Sequence, residues 1–165
     1  WNEEEIADHG VDPAARWAIM RERVLAMREI WAHDEAEYHG RYVDFDPLWS
    51  WPKPVQRPAP RIIVGGHGDR VLDRVLEYGD EWLVMPAPNR PPLRDRIRAL
   101  HERADELGRP RPAVSCQLYG DLRPELVEKL VDSGVERIDL GVTHGPPAQM
   151  LEEIDRLGQA IAAFR

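Results

Sequence analysis

The sequence predicts an α/β fold in which about four parallel strands alternate with flanking helices. After Pro60, short apolar segments alternate four times with segments whose apolar residues recur at helical spacing. The strand-like segments are apolar on both faces, which is typical of strands buried between helices in a parallel sheet. A repeated strand–helix unit indicates either a doubly wound open sheet or part of a (β/α)8 barrel, and four units amount to half of a barrel.

The first 37 residues are predicted to be mainly helical. Asp12 and Pro13 are residue types that favour an N-cap and a first helical position. The apolar residues that follow lie three and four positions apart and are Trp17, Met20, Val24, Leu25, Met27, Ile30 and Trp31. This spacing predicts one long helix that runs from Asp12 towards Tyr38.

Residues 38–60 interrupt this pattern. The segment YHGRYVDFDPLWSWPKPVQRPAP contains five prolines and several aromatic residues, and it predicts no regular element longer than a few residues. An irregular segment of this length is typical of a lid, a binding loop or a linker. Because a linker seldom exposes residues such as Trp49 and Trp51, we expect an insertion or a lid loop.

Residues 61–165 divide into four strand–helix units. The predicted strands are RIIVGG, EWLVMPA, PAVSCQLYG and RIDLGV, and the predicted helices are DRVLDRVLEYG, PPLRDRIRALHERADELG, PELVEKLVDSG and PPAQMLEEIDRLGQAIAAF. The helices begin with Pro or Asp, and the first three end at Gly79, Gly108 and Gly134. This asymmetry is typical of helix ends and supports the alternation independently of the apolar pattern.

The junction between the first of these strands and its helix reads VGGHGDR. Glycine is favoured there either by a tight turn with positive φ or by a ligand that approaches the main-chain N–H groups closely. A bare strand–helix turn needs one or two glycines, whereas this junction has Gly65, Gly66 and Gly68 within four positions. The pattern therefore favours ligand approach, with a purely structural turn as the alternative.

Composition and charge argue against several classes of protein. The net charge is −8, and acidic and basic residues interleave along helical segments, so no basic surface for nucleic acid is indicated. The apolar runs fall short of the roughly 20 residues of a membrane span, and we expect a cytoplasmic protein. The six histidines lack metal-ligand spacing, so no metal site is predicted. Cys116 is the single cysteine and is expected to be buried.

Several segments, in their order and spacing, resemble the luciferase-like monooxygenase family, especially its deazaflavin-dependent (coenzyme F420) oxidoreductase branch. These segments are WNEEEIADHG, RERVLAMREIW, YHGRYVDFD, PKPVQRPAPRIIVGGHGDR and YGDEW. The resemblance implies a TIM-like (β/α)8 barrel. Residues 1–165 would be its C-terminal half, a single domain that begins after strand 4 and carries strands 5 to 8. The chain begins without an initiator Met, so we expect further sequence upstream.

The resemblance also implies a cofactor site. Family members bind a reduced flavin or deazaflavin at the C-terminal ends of the strands, with the cofactor phosphate at the loop after strand 5. That loop corresponds to Gly65, Gly66, His67, Gly68, Asp69 and Arg70. Main-chain N–H groups and the helix N-terminus would hold the phosphate, and Arg70 would supply a counter-charge. The expected cofactor is coenzyme F420, with FMN as the alternative.

The implied activity is hydride transfer or monooxygenation of a small organic substrate. The family's catalytic polar residues lie on its first four strands, so no catalytic residue is assigned and the isolated chain is expected to be inactive. The alternative is a non-catalytic flavin- or phosphate-binding half-barrel, or a subunit that completes a barrel with another chain. Open sheet edges predict self-association or pairing with the missing half.

Five further residues are candidates for lining a cofactor cleft, because each ends or follows a predicted strand. They are Met85, Pro86, Tyr119, Asp121 and His144. For each of them, packing, capping or an exposed loop position is the simpler interpretation. In the segment GDEW, Glu81 stands where relatives often have glycine, and this difference is expected to affect only the local turn.

Overall fold

The computed structural model describes residues 2–85, 91–120 and 122–162. Contacts divide the chain into two compact units, residues 1–61 and residues 62–165. Within the described residues, the first unit contains helices and an antiparallel hairpin, and the second contains alternating strands and helices. That residues 1–165 form a single partial-barrel domain stays a prediction.

Two helices open the first unit, α1 (Glu3–Asp8) and α2 (Arg16–Ala32). Helix α2 is shorter than the predicted helix at both ends. Asp12 does not cap it, because the Asp12 carboxylate accepts the N–H of Ala14 at 2.9 Å in a separate turn. The helix therefore begins four residues later than Asp12, and the chain after Ala32 leaves the helix for a strand.

The next two elements, β1 (Glu35–His39) and β2 (Asp44–Trp49), form an antiparallel hairpin. The prediction that residues 38–60 hold no regular element longer than a few residues is therefore wrong. Proline disfavours a paired strand because it lacks an N–H group. The register shifts between Ala36 and Tyr38, and Pro47 falls in this irregular step of the ladder, where the missing donor is tolerated.

The second unit contains the four predicted strand–helix units. Its strands are β3 (Ile63–Gly65), β4 (Glu81–Val84), β5 (Ala113–Tyr119) and β6 (Arg137–Gly141), and its helices are α3 (Val71–Tyr78), α4 (Leu93–Glu106), α5 (Pro124–Asp132) and α6 (Pro147–Ala162). Each predicted strand and helix is present among the described residues. Gly108 and Gly134 follow α4 and α5 with φ of 62° and 97°, the left-handed conformation that favours glycine after a helix.

The four strands described in this unit form one parallel sheet in chain order, β3-β4-β5-β6. When the strand order never reverses, right-handed crossovers place the connecting helices on one face of the sheet. A doubly wound sheet reverses its strand order, so that alternative does not describe these strands. The predicted α/β fold is confirmed, and its sequential order is consistent with part of a (β/α)8 barrel.

The two faces of this sheet differ in chemistry. One face carries buried apolar residues, namely Val64, Trp82, Val84, Val114, Cys116 and Leu118. Helix α3 packs against β3 and β4 and contributes further buried residues, including Val71 and Val75. Side chains alternate along a strand, so the opposite face carries Ile63, Glu81 and Ser115 and is mixed in polarity. The apolar core of the second unit therefore lies on one side of the sheet.

Candidate functional site

The carboxyl ends of the four parallel strands lie at one edge of the sheet. Residues 65–70, called the glycine loop below, begin at the last residue of β3 and lead into α3. In barrels and in other parallel sheets, ligands bind at the carboxyl ends of the strands. The predicted cofactor-binding residues thus lie together at that edge, and their binding role stays a prediction.

The three glycines of this loop differ in whether their main-chain conformation requires glycine. Gly66 has a φ of 134°, a conformation that other residues rarely adopt. Gly65 and Gly68 have no positive φ. A Cβ atom added to either would meet no heavy atom within 4 Å in the described part of the chain, apart from the neighbouring residues. The turn itself therefore requires glycine only at Gly66, and the other two leave open space beside the main chain.

Two carbonyl groups of the glycine loop have side-chain donors near them. The indole Nε1–H of Trp82 donates to the Gly66 oxygen at 3.0 Å. The Gly68 oxygen accepts the N–H of Val71 at 3.1 Å, and Nη2 of Arg96 lies 3.5 Å from the same oxygen. These contacts tie the loop to β4, to the start of α3 and to α4.

Arg96 is a residue of this site that sequence reasoning missed. Its guanidinium carbon lies 4.7 Å from the centroid of the Trp82 ring, within the range of a cation–π interaction. In the sequence it is one arginine among several on a predicted helix, and no spacing distinguishes it from Arg94 or Arg98. Its place beside the loop arises because α4 packs against α3, a tertiary contact that the pattern does not reveal.

The charged residues of the glycine loop nearly balance each other. Asp69 and Arg70 are exposed, whereas His67 is half-buried. Arg70 occupies the N-cap position of α3, and its side chain makes no capping hydrogen bond. A positive side chain beside the positive end of a helix dipole is unfavourable unless an anion lies nearby. Because Asp69 offsets Arg70, anion binding here would depend mainly on main-chain N–H groups and the helix dipole.

The segment of residues 79–82 fixes both ends of β3. Oδ2 of Asp80 accepts the N–H of Ile62 at 2.8 Å, and the N–H of Asp80 donates to the Ile62 oxygen at 2.8 Å. The Trp82 indole holds Gly66 at the other end of the strand. Asp80 therefore fixes the start of β3, and Trp82 fixes the glycine loop at its end.

Glu81 has a different role from the one predicted. It is the first residue of β4, its side chain is 1% exposed, and its Oε1 accepts a hydrogen bond from Nη2 of Arg137 at 2.6 Å. Nε of Arg137 also donates to Asp139 at 3.2 Å. The expectation that Glu81 affects only a local turn is wrong, because this pair spans the sheet from β4 to β6. It lies at the amino ends of the strands, away from the glycine loop.

The other cleft candidates have less defined surroundings. Met85 and Tyr119 are 42% and 58% exposed at the carboxyl edge, and the Tyr119 hydroxyl accepts a hydrogen bond from Nε2 of Gln117 at 3.0 Å. His144 is exposed after β6. Pro86 and Asp121 lie outside the described residues. A role of these residues in a cofactor cleft stays a prediction.

Cys116 is buried within β5, as expected. Burial, with a smaller effect of Asp139, raises the pKa of its thiol to about 11. The thiol is therefore protonated at neutral pH and poorly suited to nucleophilic chemistry. Among the described residues, no group of three or more His, Cys, Asp or Glu side chains is arranged to hold a metal ion. The helices in the described ranges also include none that is long and apolar enough to cross a membrane.

A four-stranded parallel sheet in chain order, with a glycine loop at its carboxyl edge, is consistent with part of a (β/α)8 barrel. The chain belongs to the luciferase-like monooxygenase family, whose model matches residues 1–135. An uncharacterised protein of Mycobacterium tuberculosis is 41% identical over 87 residues, which are 52% of this chain and 30% of that protein. The FMNH2-dependent dimethylsulfone monooxygenase of Pseudomonas putida is 32% identical over 79 residues, 48% of this chain and 22% of that enzyme.

A solved structure supports the fold. It is an F420-dependent secondary alcohol dehydrogenase, similar with a TM-score of 0.64 at 16% identity over 78% of this chain and 57% of that one. The matched segments span less than a third of the two curated relatives and little more than half of this structure. The comparisons confirm the predicted family, whose members are oxidoreductases and monooxygenases.

Proposed function

We propose that this chain is the cofactor-phosphate-binding part of an oxidoreductase that uses coenzyme F420 or FMN on a small organic substrate. The observation that most supports this proposal is the open space beside the main chain at Gly65 and Gly68. The turn requires glycine only at Gly66, so the two further glycines have no structural reason within the described chain. Glycines without such a reason are typical of main chain that a ligand approaches closely.

The surroundings of the loop favour an anionic group over a neutral one. Helix α3 begins directly after the loop, so its partial positive charge adds to that of the main-chain N–H groups. Arg70 stands at the N-cap position and would donate charge-assisted hydrogen bonds to phosphate oxygens. We therefore assign Gly65, Gly66, His67, Gly68, Asp69 and Arg70 to phosphate binding.

The loop does not select between the two cofactors, because both carry a phosphate group. The similar dehydrogenase structure is F420-dependent, and the similar Pseudomonas putida enzyme is FMNH2-dependent, which supports keeping F420 with FMN as the alternative. The bound ring system would supply the hydride chemistry, while the protein binds and orients it. A cytoplasmic location and pairing with a further part of the barrel belong to the same proposal.

The proposed site is tested by titrating FMN and F420 against Gly68→Ala and following cofactor fluorescence. Because the added methyl group meets no described side chain, folding should be unaffected, whereas a phosphate at the loop would be displaced. We expect roughly tenfold weaker binding, the scale of one or two lost hydrogen bonds.

Gly158→Ala in α6 is the matched control, since a Cβ atom there also meets no atom within 4 Å. Its affinity for both cofactors should equal that of the wild type. Equal affinity of Gly68→Ala and wild type would contradict phosphate binding at the loop.

A further inference from the structure

We propose that Trp82 and Arg96 are positioning residues that hold the glycine loop with main-chain N–H groups turned towards the bound anion. This inference rests on the proposed function, since it concerns the same loop. The proposal extends the site by two side chains. Both lie near carbonyl oxygens of the loop, so that N–H groups on its other side face the ligand.

The first step follows from the geometry of a trans peptide, in which a carbonyl group and the N–H of the next residue point in opposite directions. Among the described residues, only the peptide bonds before Pro52 and Pro58 are cis. The peptide bonds that follow Gly66 and Gly68 are therefore trans. The Gly66 oxygen points to the Trp82 indole, and the N–H of His67 must therefore point away from it.

The same reasoning applies to the peptide after Gly68. Its oxygen faces the N–H of Val71 at 3.1 Å and the guanidinium of Arg96 at 3.5 Å. The N–H of Asp69 therefore points away from both groups. At 3.5 Å the Arg96 contact is long for a hydrogen bond, and it acts mainly as attraction between a cation and a carbonyl dipole.

The second step concerns why the loop needs such support. Glycine peptides rotate with little steric cost, so a loop with three of them does not hold one orientation by itself. An orientation fixed in advance reduces the entropy lost when a ligand binds. Trp82 is 0% exposed in β4 and provides a fixed donor, and its ring face holds the guanidinium of Arg96 at 4.7 Å.

The third step separates Arg96 from its neighbours on α4. Nη2 of Arg94 donates to the main-chain oxygen of Asp132 at 2.8 Å, and Nη2 of Arg98 donates to Oδ1 of Asp95 at 3.0 Å. Both neighbours carry the same charge on the same helix but point to other groups. Arg98→Met is therefore a matched control for Arg96→Met.

The first experiment needs no ligand and uses 15N relaxation of the 165-residue chain. With Arg96 in place, the N–H groups of His67 and Asp69 should have order parameters of about 0.85, typical of rigid main chain. In Arg96→Met the value for Asp69 should fall to below about 0.6, while Arg98→Met leaves it unchanged. Arg96→Lys retains the charge without the flat stacking surface, and we expect an intermediate value.

The second experiment measures FMN affinity in the same variants. Arg96→Met should weaken binding about three- to tenfold, and Arg98→Met should not, since a lost loop restraint costs about as much as a cation–π contact or a weak hydrogen bond. Unfolding midpoints of the two variants should agree, which separates loop positioning from general helix stability.

The two experiments distinguish the two proposals. Failure of the wild-type chain to bind FMN or F420 would contradict the proposed function, and the order parameters alone would then decide whether Arg96 restrains the loop. Unchanged order parameters in Arg96→Met, or wild-type affinity of that variant for FMN, would overturn the positioning role while leaving the phosphate site intact.

Discussion

The Glu22 carboxylate shows how a single side chain determines the shape of a loop. It accepts hydrogen bonds from the main-chain N–H groups of Arg41, Tyr42 and Val43 at 3.2, 2.6 and 3.0 Å. Three converging N–H groups form a small anion site in the turn between β1 and β2, and α2 fills it with its own carboxylate. The turn is thereby attached to the helix.

These hydrogen bonds, with that from Tyr42 first, hold the pKa of Glu22 below its ordinary value of 4.5. A carboxyl group with a lowered pKa in the folded state stabilises the protein above pH 4.5, and that stabilisation is lost as the pH falls through the folded-state pKa. We predict that Glu22→Gln lowers the unfolding midpoint at neutral pH and that its difference from wild type disappears in strong acid.

Denaturant unfolding at a series of pH values checks this prediction. Glu4→Gln, on the exposed face of α1, controls for the loss of one negative charge. A stability difference between Glu22→Gln and wild type that is the same at neutral and acidic pH would show that the carboxylate does not hold the turn.

Basic side chains that are distant in sequence donate hydrogen bonds to the last carbonyl groups of two helices. Nζ of Lys53 donates to the oxygens of Ile30 and His33 at the end of α2. The Arg109 guanidinium donates to the oxygens of Val75, Leu76 and Gly79 at the end of α3. A cation at this position meets both the unsatisfied carbonyl groups and the negative end of the helix dipole.

We predict that Arg109→Met destabilises the second unit by about 1–2 kcal/mol, because the last carbonyl groups of α3 lose partly buried charged donors. Arg111→Met is the control, since Arg111 forms an exposed ion pair with Asp105 at 2.6 Å and should contribute little. Thermal or denaturant unfolding measures both. Equal effects of the two substitutions would contradict the capping role of Arg109.

Local signals explain which elements could be predicted from sequence. The four strand–helix units were predicted from the alternating apolar segments, and glycine and proline at the helix ends, as at Gly108, Gly134 and Pro124, supported the prediction. Strand β1 was missed because the helical spacing was extended towards Tyr38, and β2 was missed because five prolines argued against regular structure in residues 38–60. The irregular step of the ladder accommodates one of these prolines, Pro47. Arg96 could not be assigned to the site, because its contact with the loop depends on the packing of two helices.

At the level of the whole molecule, the four-stranded sheet among the described residues has two edge strands. Strands β3 and β6 each have one neighbour in the described sheet, and Ile63 at one edge is 44% exposed. Unpaired strand edges are sites for association with another chain. We predict that the 165-residue chain self-associates or recruits the remaining part of a barrel, as measured by light scattering coupled to size exclusion. A monomer at micromolar concentrations with cooperative unfolding would contradict this prediction.

The same architecture predicts that the chain alone lacks activity. The described site offers a glycine loop that we propose binds phosphate, without an assigned catalytic side chain, and binding at one end does not orient a substrate for reaction. Assays with reduced F420 or reduced FMN over a panel of carbonyl and enone substrates should show no turnover. Measurable cofactor-dependent turnover by residues 1–165 would refute the half-barrel account.

The most direct test of the account compares FMN with riboflavin, which has the same ring system without the phosphate. If the glycine loop binds phosphate, FMN should bind at least about tenfold more tightly, since charge-assisted hydrogen bonds contribute about 1.5–3 kcal/mol. Amide chemical shifts should then change mainly at residues 65–70 with FMN and not with riboflavin, and Gly68→Ala should remove the preference. Equal affinities for FMN and riboflavin, or shifts confined to other residues, would contradict the account.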